Sequence, residues 1–171
     1  GNDGQVLTSA GAGAQPAFET LTVGKIVQVV TANTTAVATG TTAFPTDDTI
    51  PQNSEGVEIE TLAITPTNAS NLLYFWFNSA ISHTANGTVV IALFQDSTAN
   101  ALAATEAVLT ATNGGQCSFH HQMTAGTTSA TTFKIRIGGQ TASTLTVNGG
   151  GGSRRYGGTS TCRLTIMEVS A

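Results

Sequence analysis

The stretch of residues 71–96 constrains the fold more than any other part of the sequence. Its two apolar runs, 72–81 and 89–94, flank the dipeptide Asn86-Gly87. Asn-Gly readily adopts positive φ, so this pattern predicts a β-hairpin. The first run carries consecutive aromatic residues at 74–77, and a packed aromatic side chain buries about 150–250 Å². Because successive side chains of a strand point to opposite faces, we expect one face to meet a second sheet and the other to meet more chain or another subunit.

Alternation of apolar and polar residues continues along the chain in short segments separated by Gly, Asn and Pro. In the segment 131–137, Phe133 and two isoleucines share one side, while Lys134 and Arg136 share the other. A β-bulge is expected near Thr61, and the C-terminal strand is expected in the middle of a sheet. About eight to ten such segments, with almost no helical periodicity, predict an all-β fold, an antiparallel jelly-roll-like β-sandwich.

The low charge of the chain favours a structural or binding protein over an enzyme with a charged cleft. Charged residues make up 9% of the sequence and the net charge is −4. Non-specific nucleic-acid binding needs clustered Lys and Arg, so no nucleic-acid partner is expected. No apolar run approaches the roughly 18 residues that span a bilayer, so no membrane insertion is expected.

The two signs of charge are unevenly distributed along the sequence. Lys25 is the only basic residue before Lys134, and every acidic residue except Glu168 lies at or before Glu106. Two interpretations remain open. The asymmetry is either cross-strand complementarity within a folded sandwich or a functional basic edge.

The opening segment, rich in Gly, Ala and Ser, has the composition of a linker. It resembles the connector that precedes the terminal domain in tailed-bacteriophage fibre and virion-spike proteins. The resemblance is carried by Gly1, Gly4, Gln5, Leu7, Ser9, Gly11, Gly13, Pro16 and Phe18. That family usually has Trp or Tyr at the last of these places. Four further stretches are similar to the β-sandwich heads of the same proteins: LAITPTNASNLLYFWF, ALFQDSTANALAA, TTFKIRIGG and TSTCRLTIMEVSA.

The resemblance implies both an architecture and a function. It implies a connector or stalk-docking segment at residues 1–23 and a sandwich head at 24–171, with the chain as the C-terminal piece of a longer protein. It implies a homotrimer with a C1q- or TNF-like outline, joined to an upstream stalk or another virion protein. The expected role is attachment of a phage virion to a bacterial surface glycan or protein, and the expected location is the virion, assembled in the host cytoplasm.

Two alternatives to host attachment stay open at this point. One is a purely structural virion protein, such as a capsid decoration or a neck or head fibre. The other is a polysaccharide-degrading spike module, since paired carboxylates can cleave glycosides. The candidates for such a pair are Asp47, Asp48, Glu55, Glu58 and Glu60. We expect these to be solvated loop and strand positions, with no catalytic residue, no enzymatic activity and no cofactor.

The strongest binding candidate in the sequence is the segment 149–159. A glycine run there precedes Arg154, Arg155 and Tyr156. Arginine forks bind carboxylates and phosphates in bidentate fashion, so these residues are predicted to contact a receptor. The alternative is a loop whose arginines pair with Asp or Glu of a neighbouring subunit.

The histidines and cysteines offer a weak metal hypothesis. His120 and His121 are adjacent on a predicted strand and therefore point to opposite faces. They cannot bind one ion within one chain, although one His per chain could meet at a threefold axis. We expect one to be packed and the other solvated, with no metal. Cys117 and Cys162 lie in strand-like runs, and we expect no disulfide between them.

Overall fold

The computed structural model describes residues 2, 4–20, 25–111 and 113–171. Of these described residues 57% are β-strand, and the strands form curled antiparallel sheets. This confirms the all-β antiparallel sandwich that the sequence pattern predicts. Among the described residues, no helix is long and apolar enough to cross a membrane.

The first layer, sheet 1, is built around the 12-residue strand β6. One edge of β6 pairs first with β14 and then with β11, and its other edge pairs with β9. β3 continues the sheet beyond β14, and β4 continues it beyond β11. The strands of sheet 1 are β3 (Ile26–Thr34), β4 (Ala38–Gly40), β6 (Leu72–His83), β9 (Gly114–Thr124), β11 (Leu145–Val147) and β14 (Cys162–Val169).

The second layer, sheet 2, has four antiparallel strands in the order β5-β10-β7-β8. They are β5 (Val57–Ile64), β7 (Gly87–Gln95), β8 (Ala103–Leu109) and β10 (Thr131–Gly139). Two small hairpins complete the elements: β1 (Gln5–Thr8) with β2 (Ala17–Thr20), and β12 (Gly149–Gly150) with β13 (Ser153–Arg154).

The order of the strands in the two sheets gives the jelly-roll pattern. The chain passes from sheet 1 to sheet 2 between β6 and β7, and back between β8 and β9. The prediction of a β-hairpin at Asn86-Gly87 is therefore wrong, because β6 and β7 belong to different sheets. The Asn86 side chain instead accepts a hydrogen bond from the amide of Ala111 at 2.6 Å, which ties this crossover to the end of β8.

The core lies between the two sheets, where the inward side chains of both layers meet. Phe75 of β6 and Phe133 of β10 contact each other edge to face, with ring centroids 4.7 Å apart. Both rings are almost fully buried. The predicted inward side of β10 is confirmed, since its alternate apolar residues all join this core.

The middle of the outer face of sheet 2 is covered by the chain itself. Phe44, in the long connection between β4 and β5, is completely buried against Val90, Ala92 and Phe94. Its backbone amide donates to the carbonyl of Gly139 at 2.9 Å. As a result β7 is buried on both of its sides, whereas the outward residues of the edge strand β8 are exposed.

The C-terminal strand is held at the centre of sheet 1 by a buried carboxylate. β14 lies between β3 and β6, as expected. The Glu168 carboxylate accepts hydrogen bonds from Gln28 Nε2 at 2.6 Å, from the amide and hydroxyl of Thr67 at 2.8 Å each, and from Asn71 Nδ2 at 2.5 Å. Burial raises the pKa of Glu168, but these four donors outweigh it and bring the pKa to about 2.

The carboxylate of Glu60 is not on the solvated side of its strand, contrary to expectation. The pairing of β5 with β10 shifts register so that Ile59 is an extra residue between Glu58 and Glu60. This bulge lies two residues before the predicted position at Thr61, and it turns Glu60 to the same side as the buried Ile135. Burial therefore raises the pKa of Glu60.

The N-terminal residues form a separate antiparallel pair. β1 and β2 hydrogen-bond only with each other among the described strands, and Phe18 on β2 is 54% exposed. The predicted boundary between a connector and a head, at residues 23 and 24, lies outside the described residues. The division into these two domains stays a prediction.

Candidate functional site

The glycine run in the segment 149–159 forms a tight hairpin that projects from one end of sheet 1. Gly149–Gly150 pairs with Ser153–Arg154. The two turn residues have φ values of 58° and 80°, as a type I′ turn requires, and glycine adopts these at little cost. The amide of Gly152 donates to Thr146 Oγ1 at 3.0 Å, which holds the turn against β11.

Asn148 fixes the base of this hairpin. Its side chain is buried and donates to the carbonyl oxygens of Thr34 and Ala36 at 3.0 and 3.1 Å. Its backbone amide donates to the carbonyl of Ala80 at 2.9 Å. The residue has φ of 58°, a conformation in which Asn is more common than most residues. Asn148 therefore anchors the glycine run to β3, to the β3–β4 connection and to β6.

The two neighbouring arginines point to different places. The guanidinium of Arg155 lies directly on Gly150, where a Cβ would fall 2.3 Å from Arg155 Cζ. The side chain of Arg154 instead packs against Gly158, where a Cβ would fall 3.0 Å from its Nη1. The two side chains therefore pack against different parts of the segment, and the receptor contact of Arg154, Arg155 and Tyr156 stays a prediction.

Arg155 and Tyr156 line a depression of about 290 Å³, which we call the Arg155 pocket. The side of the pocket opposite Arg155 and Tyr156 is formed by residues near the C-terminal end of β6 and by the first residues of β9. Its lining consists of Ala80, Ile81, Gly114, Gly115, Gln116, Gly149, Arg155, Tyr156 and Ser160. Arg154 is not part of this lining.

The lining residues outside the glycine hairpin were not identified from the sequence. Gln116 is separated from Arg155 by the rest of β9 and by the strands β10 to β13, so no local pattern links them. The available signal was the uneven charge, because no Asp or Glu occurs between residues 107 and 167. The segments that build the pocket from β9 onward all come from this stretch.

The open face of sheet 1 continues from the pocket and centres on Trp76. Trp76 is 37% exposed and stacks with Tyr74, their ring centroids 6.0 Å apart. His120, on the neighbouring strand β9, pairs with Trp76, and Arg163 borders the same depression. We call this surface the Trp76 face; it also includes Val29, Thr165 and Met167.

The two adjacent histidines lie on opposite sides of β9, as expected. His120 is exposed on the Trp76 face, whereas His121 is partly buried beside Phe75 and Phe119. Burial lowers the pKa of His121. No group of three or more potential ligands in the described part of the chain could hold a metal ion, and an axial site for either histidine stays a prediction.

The carboxylates that were considered for catalysis do not converge on either surface. Glu58 forms salt bridges with Lys134 at 3.6 Å and with Arg136 at 3.8 Å. Asp47 accepts hydrogen bonds from the hydroxyl and amide of Thr49, which lower its pKa. These are contacts of a strand surface and of a turn, and they carry no arrangement that favours a reaction.

Comparison with known protein families decides the lineage of the chain. A family model described as the Pgp3 C-terminal domain matches residues 29–171. The chain belongs to the Pgp3 C-terminal domain family. Pgp3 is a plasmid-encoded protein of Chlamydia.

This membership overturns the resemblance to tailed-bacteriophage fibres. The expected attachment of a phage virion to a bacterial host is wrong, as are the two virion alternatives and the virion location. The connector motif that misled the prediction lies before residue 29, outside the matched region, whereas the four stretches compared with the phage heads lie inside it. Its glycines at 4, 11 and 13 have φ of 84°, 100° and 85° in and around the β1–β2 hairpin. Their spacing therefore reflects the backbone needs of turns, which unrelated chains share.

Solved structures resemble the chain only at the level of the sandwich. The C-terminal domain of EclA, a sugar-binding protein, has 17% identity and a TM-score of 0.37 over 66% of this chain and 73% of its own. A CBM4 structure has 12% identity and a TM-score of 0.38 over 53% of this chain and 56% of its own. Infectious bursal virus-derived T=1 particles have 16% identity and a TM-score of 0.38 over 98% of this chain and 41% of theirs. No curated protein matches the chain.

Proposed function

We propose that this domain is a non-enzymatic assembly module that forms a homotrimer through the Trp76 face. The observation that carries the proposal is the pair of stacked aromatic rings, Tyr74 and Trp76, in the middle of an uncovered sheet. Removing such a surface from water is favourable in free energy, and contiguous exposed apolar patches commonly mark interaction sites. The proposal assigns no reaction to the domain.

The contrast between the two sheets supports this choice of surface. The connection that contains Phe44 covers the apolar outward residues of β7, the part of sheet 2 that would otherwise expose a large apolar surface. The Trp76 face has no such cover within the described residues. Val29 in its outer strand is 53% exposed. Covering the exposed third of Trp76 would remove roughly 80 Å² from water, worth ~2 kcal/mol per copy.

The distribution of charge supports a second copy of the same chain as the occupant. Arg163, on β14, borders the Trp76 face, and the described outward residues of this face include no carboxylate. Glu106 is exposed on β8, the edge strand of sheet 2. A head-to-tail contact would bring the acidic edge of one copy towards the basic side of the next. Such a heterologous contact makes a closed ring when the rotation is about 120°.

The experiment is a measurement of molar mass in solution by light scattering at several protein concentrations. The wild-type chain, 17.3 kDa, is expected at three times this mass. Trp76→Arg places a charge in the centre of the contact and removes ~2 kcal/mol of apolar burial per copy. It is expected to shift the population to monomers, weakening each contact at least about 30-fold.

The matched control is Leu7→Arg. Leu7 is 61% exposed on β1, and it belongs neither to the Trp76 face nor to the acidic edge on β8. This variant adds the same charge to another exposed apolar position and is expected to remain trimeric. A wild-type chain that is monomeric at all concentrations would contradict the proposal. So would a Trp76→Arg variant that keeps the wild-type mass.

A further inference from the structure

We infer that the Asn86-Gly87 dipeptide is a site of spontaneous covalent modification, at which the folded chain converts Asn86 to aspartate and isoaspartate. The chain contains two other Asn-Gly dipeptides, Asn113-Gly114 and Asn148-Gly149. The three differ in what surrounds the side-chain amide of each asparagine. The modification takes place within one chain, and it does not depend on the assembly proposed above.

The reaction needs only the dipeptide and water. The backbone nitrogen of Gly87 attacks Cγ of Asn86, and the new C–N bond closes a five-membered succinimide ring. The bond from Cγ to the side-chain nitrogen breaks, and this nitrogen leaves as ammonia with the proton of the Gly87 amide. Water then opens the ring at either carbonyl carbon, which gives aspartate or isoaspartate. Glycine in the second place favours the attack because it has no Cβ to obstruct it.

The side chain of Asn86 is open to this reaction in the folded chain. It is exposed in the connection between β6 and β7. Its nitrogen Nδ2, the atom that must leave, has no hydrogen-bond partner among the described residues. Release of ammonia therefore breaks no described hydrogen bond, and water reaches the ring from the surface.

The oxygen of the same side chain has a hydrogen-bond donor in place. The backbone amide of Ala111 donates to Asn86 Oδ1 at 2.6 Å. Negative charge develops on this oxygen when the Gly87 nitrogen adds to Cγ, and a donor that already faces it lowers the barrier. One such donor at an exposed position should accelerate ring closure by up to about tenfold.

Asn148 has the opposite surroundings. It is 1% exposed, and its Nδ2 donates to the carbonyl oxygens of Thr34 at 3.0 Å and Ala36 at 3.1 Å. Its Oδ1 also has a donor, the Ser160 hydroxyl at 3.4 Å, so the difference from Asn86 lies in burial and in the leaving nitrogen. Loss of this nitrogen would remove the donor from two carbonyl groups, which is costly in a buried place. The fold therefore protects Asn148.

Asn113 is intermediate between the two. Its side chain is exposed, but its Nδ2 donates to Thr110 Oγ1 at 3.3 Å. Its Oδ1 has no donor among the described residues. We therefore expect ring closure at Asn113 to be slower than at Asn86 and faster than at Asn148.

The modification would change the link between the two sheets. Asn86 Oδ1 ties the crossover from sheet 1 to sheet 2 to the end of β8 through Ala111. Aspartate keeps an acceptor for the Ala111 amide and adds one negative charge. Isoaspartate instead lengthens the main chain by one carbon at the crossover. Both the charge and the geometry of this link therefore depend on the chemical state of Asn86.

The test is cleavage of the folded 171-residue chain by hydroxylamine, which reacts with the succinimide and splits the chain before the glycine. The three dipeptides give different fragment pairs, namely 1–86 with 87–171, 1–113 with 114–171, and 1–148 with 149–171. Mass spectrometry of the folded protein should show the first pair forming fastest, the second up to about tenfold more slowly and the third not at all. In urea all three pairs should form at comparable rates, because the contacts that distinguish them are lost.

Variants assign the effect to the individual groups. Asn86→Gln would require a larger, six-membered ring and is expected to abolish the first fragment pair only. Ala111→Pro removes the donating amide without touching the dipeptide and is expected to slow cleavage at Asn86 by up to about tenfold. Ala111→Gly is the matched control, because it keeps the amide, and it is expected to be cleaved like the wild type. Circular dichroism checks that each variant is folded.

Several results would overturn the inference. In the folded wild type these are cleavage at equal rates at all three dipeptides, cleavage fastest at Asn113 or Asn148, or no cleavage at Asn86 before urea is added. A folded Ala111→Pro variant that is cleaved as fast as the wild type would also contradict the role given to the Ala111 amide. If this variant does not fold, the comparison of the three dipeptides within the wild-type chain decides the question.

Discussion

Replacement of the buried Glu168 by Gln tests how the C-terminal strand is held in the sandwich. In the native protein the carboxylate accepts four hydrogen bonds from Gln28, Thr67 and Asn71, which belong to β3 and to the β5–β6 connection. The variant keeps the shape of the side chain but loses its charge. It also turns one oxygen acceptor into a donor that faces other donors.

The expected loss follows from the pKa of the carboxyl group. Its ordinary value is 4.5 and its folded value is about 2, a difference that corresponds to roughly 3 kcal/mol. Because the pKa is lower in the folded state, this stability is fully present above about pH 4.5 and is lost as the pH falls towards 2. Glu168→Gln lacks it at every pH. The free energy of unfolding of the variant should therefore be about 3 kcal/mol lower than that of the wild type at pH 7. This difference should shrink between pH 4.5 and 2.

The assay is urea denaturation at pH 7, 4.5 and 2.5, at one fixed protein concentration. The control is Glu19→Gln, which removes a carboxylate that is exposed on β2. This variant is expected to unfold like the wild type. Parallel pH dependence of the wild type and Glu168→Gln, or a loss below about 1 kcal/mol at pH 7, would refute the reasoning that the four donors stabilise a charged carboxylate.

Two further predictions concern buried groups. Gly56→Ala combines a φ of 57° with a Cβ that would lie 2.2 Å from Phe44 Cε2, so it should lower the free energy of unfolding by at least about 2 kcal/mol. Thermal unfolding followed by circular dichroism measures this, and an unchanged Tm would contradict it. Burial raises the pKa of Cys117 to about 11 and that of Cys162 to about 12. Both thiols should therefore resist a disulfide reagent at pH 8 until urea is added, and rapid labelling of the folded protein would contradict this.

The sequence predicted correctly what depends on the alternation of neighbouring residues. Phe133 faces the core and Lys134 faces outward because consecutive side chains of a strand point to opposite sides. The central position of β14 was also predicted correctly. The two sides of β10 follow from neighbouring residues alone, whereas the position of β14 was expected because a central final strand ties down the C-terminus.

The errors arise where partners are distant in sequence. The Asn86-Gly87 dipeptide lies between two strands, but the strands pair with other partners that are distant in sequence. β6 pairs with β9 and β14, whereas β7 pairs with β8 and β10. Glu60 faces the core because of a one-residue bulge whose position depends on its pairing with β10. Gln116 joins Arg155 only because β9 pairs with the full length of β6, where the hairpin after Asn148 is anchored.

The sequence by itself determined the all-β class, the inward and outward sides of the longer strands and the uneven charge along the chain. These follow from side-chain chemistry and from a period of two residues, both of which are local properties. Only the tertiary structure decided that Trp76 lies on an uncovered face, that Arg154 and Arg155 diverge and that Glu168 is buried. Each of these depends on contacts between residues far apart in the chain, and such contacts form only when the strands have paired into the two sheets.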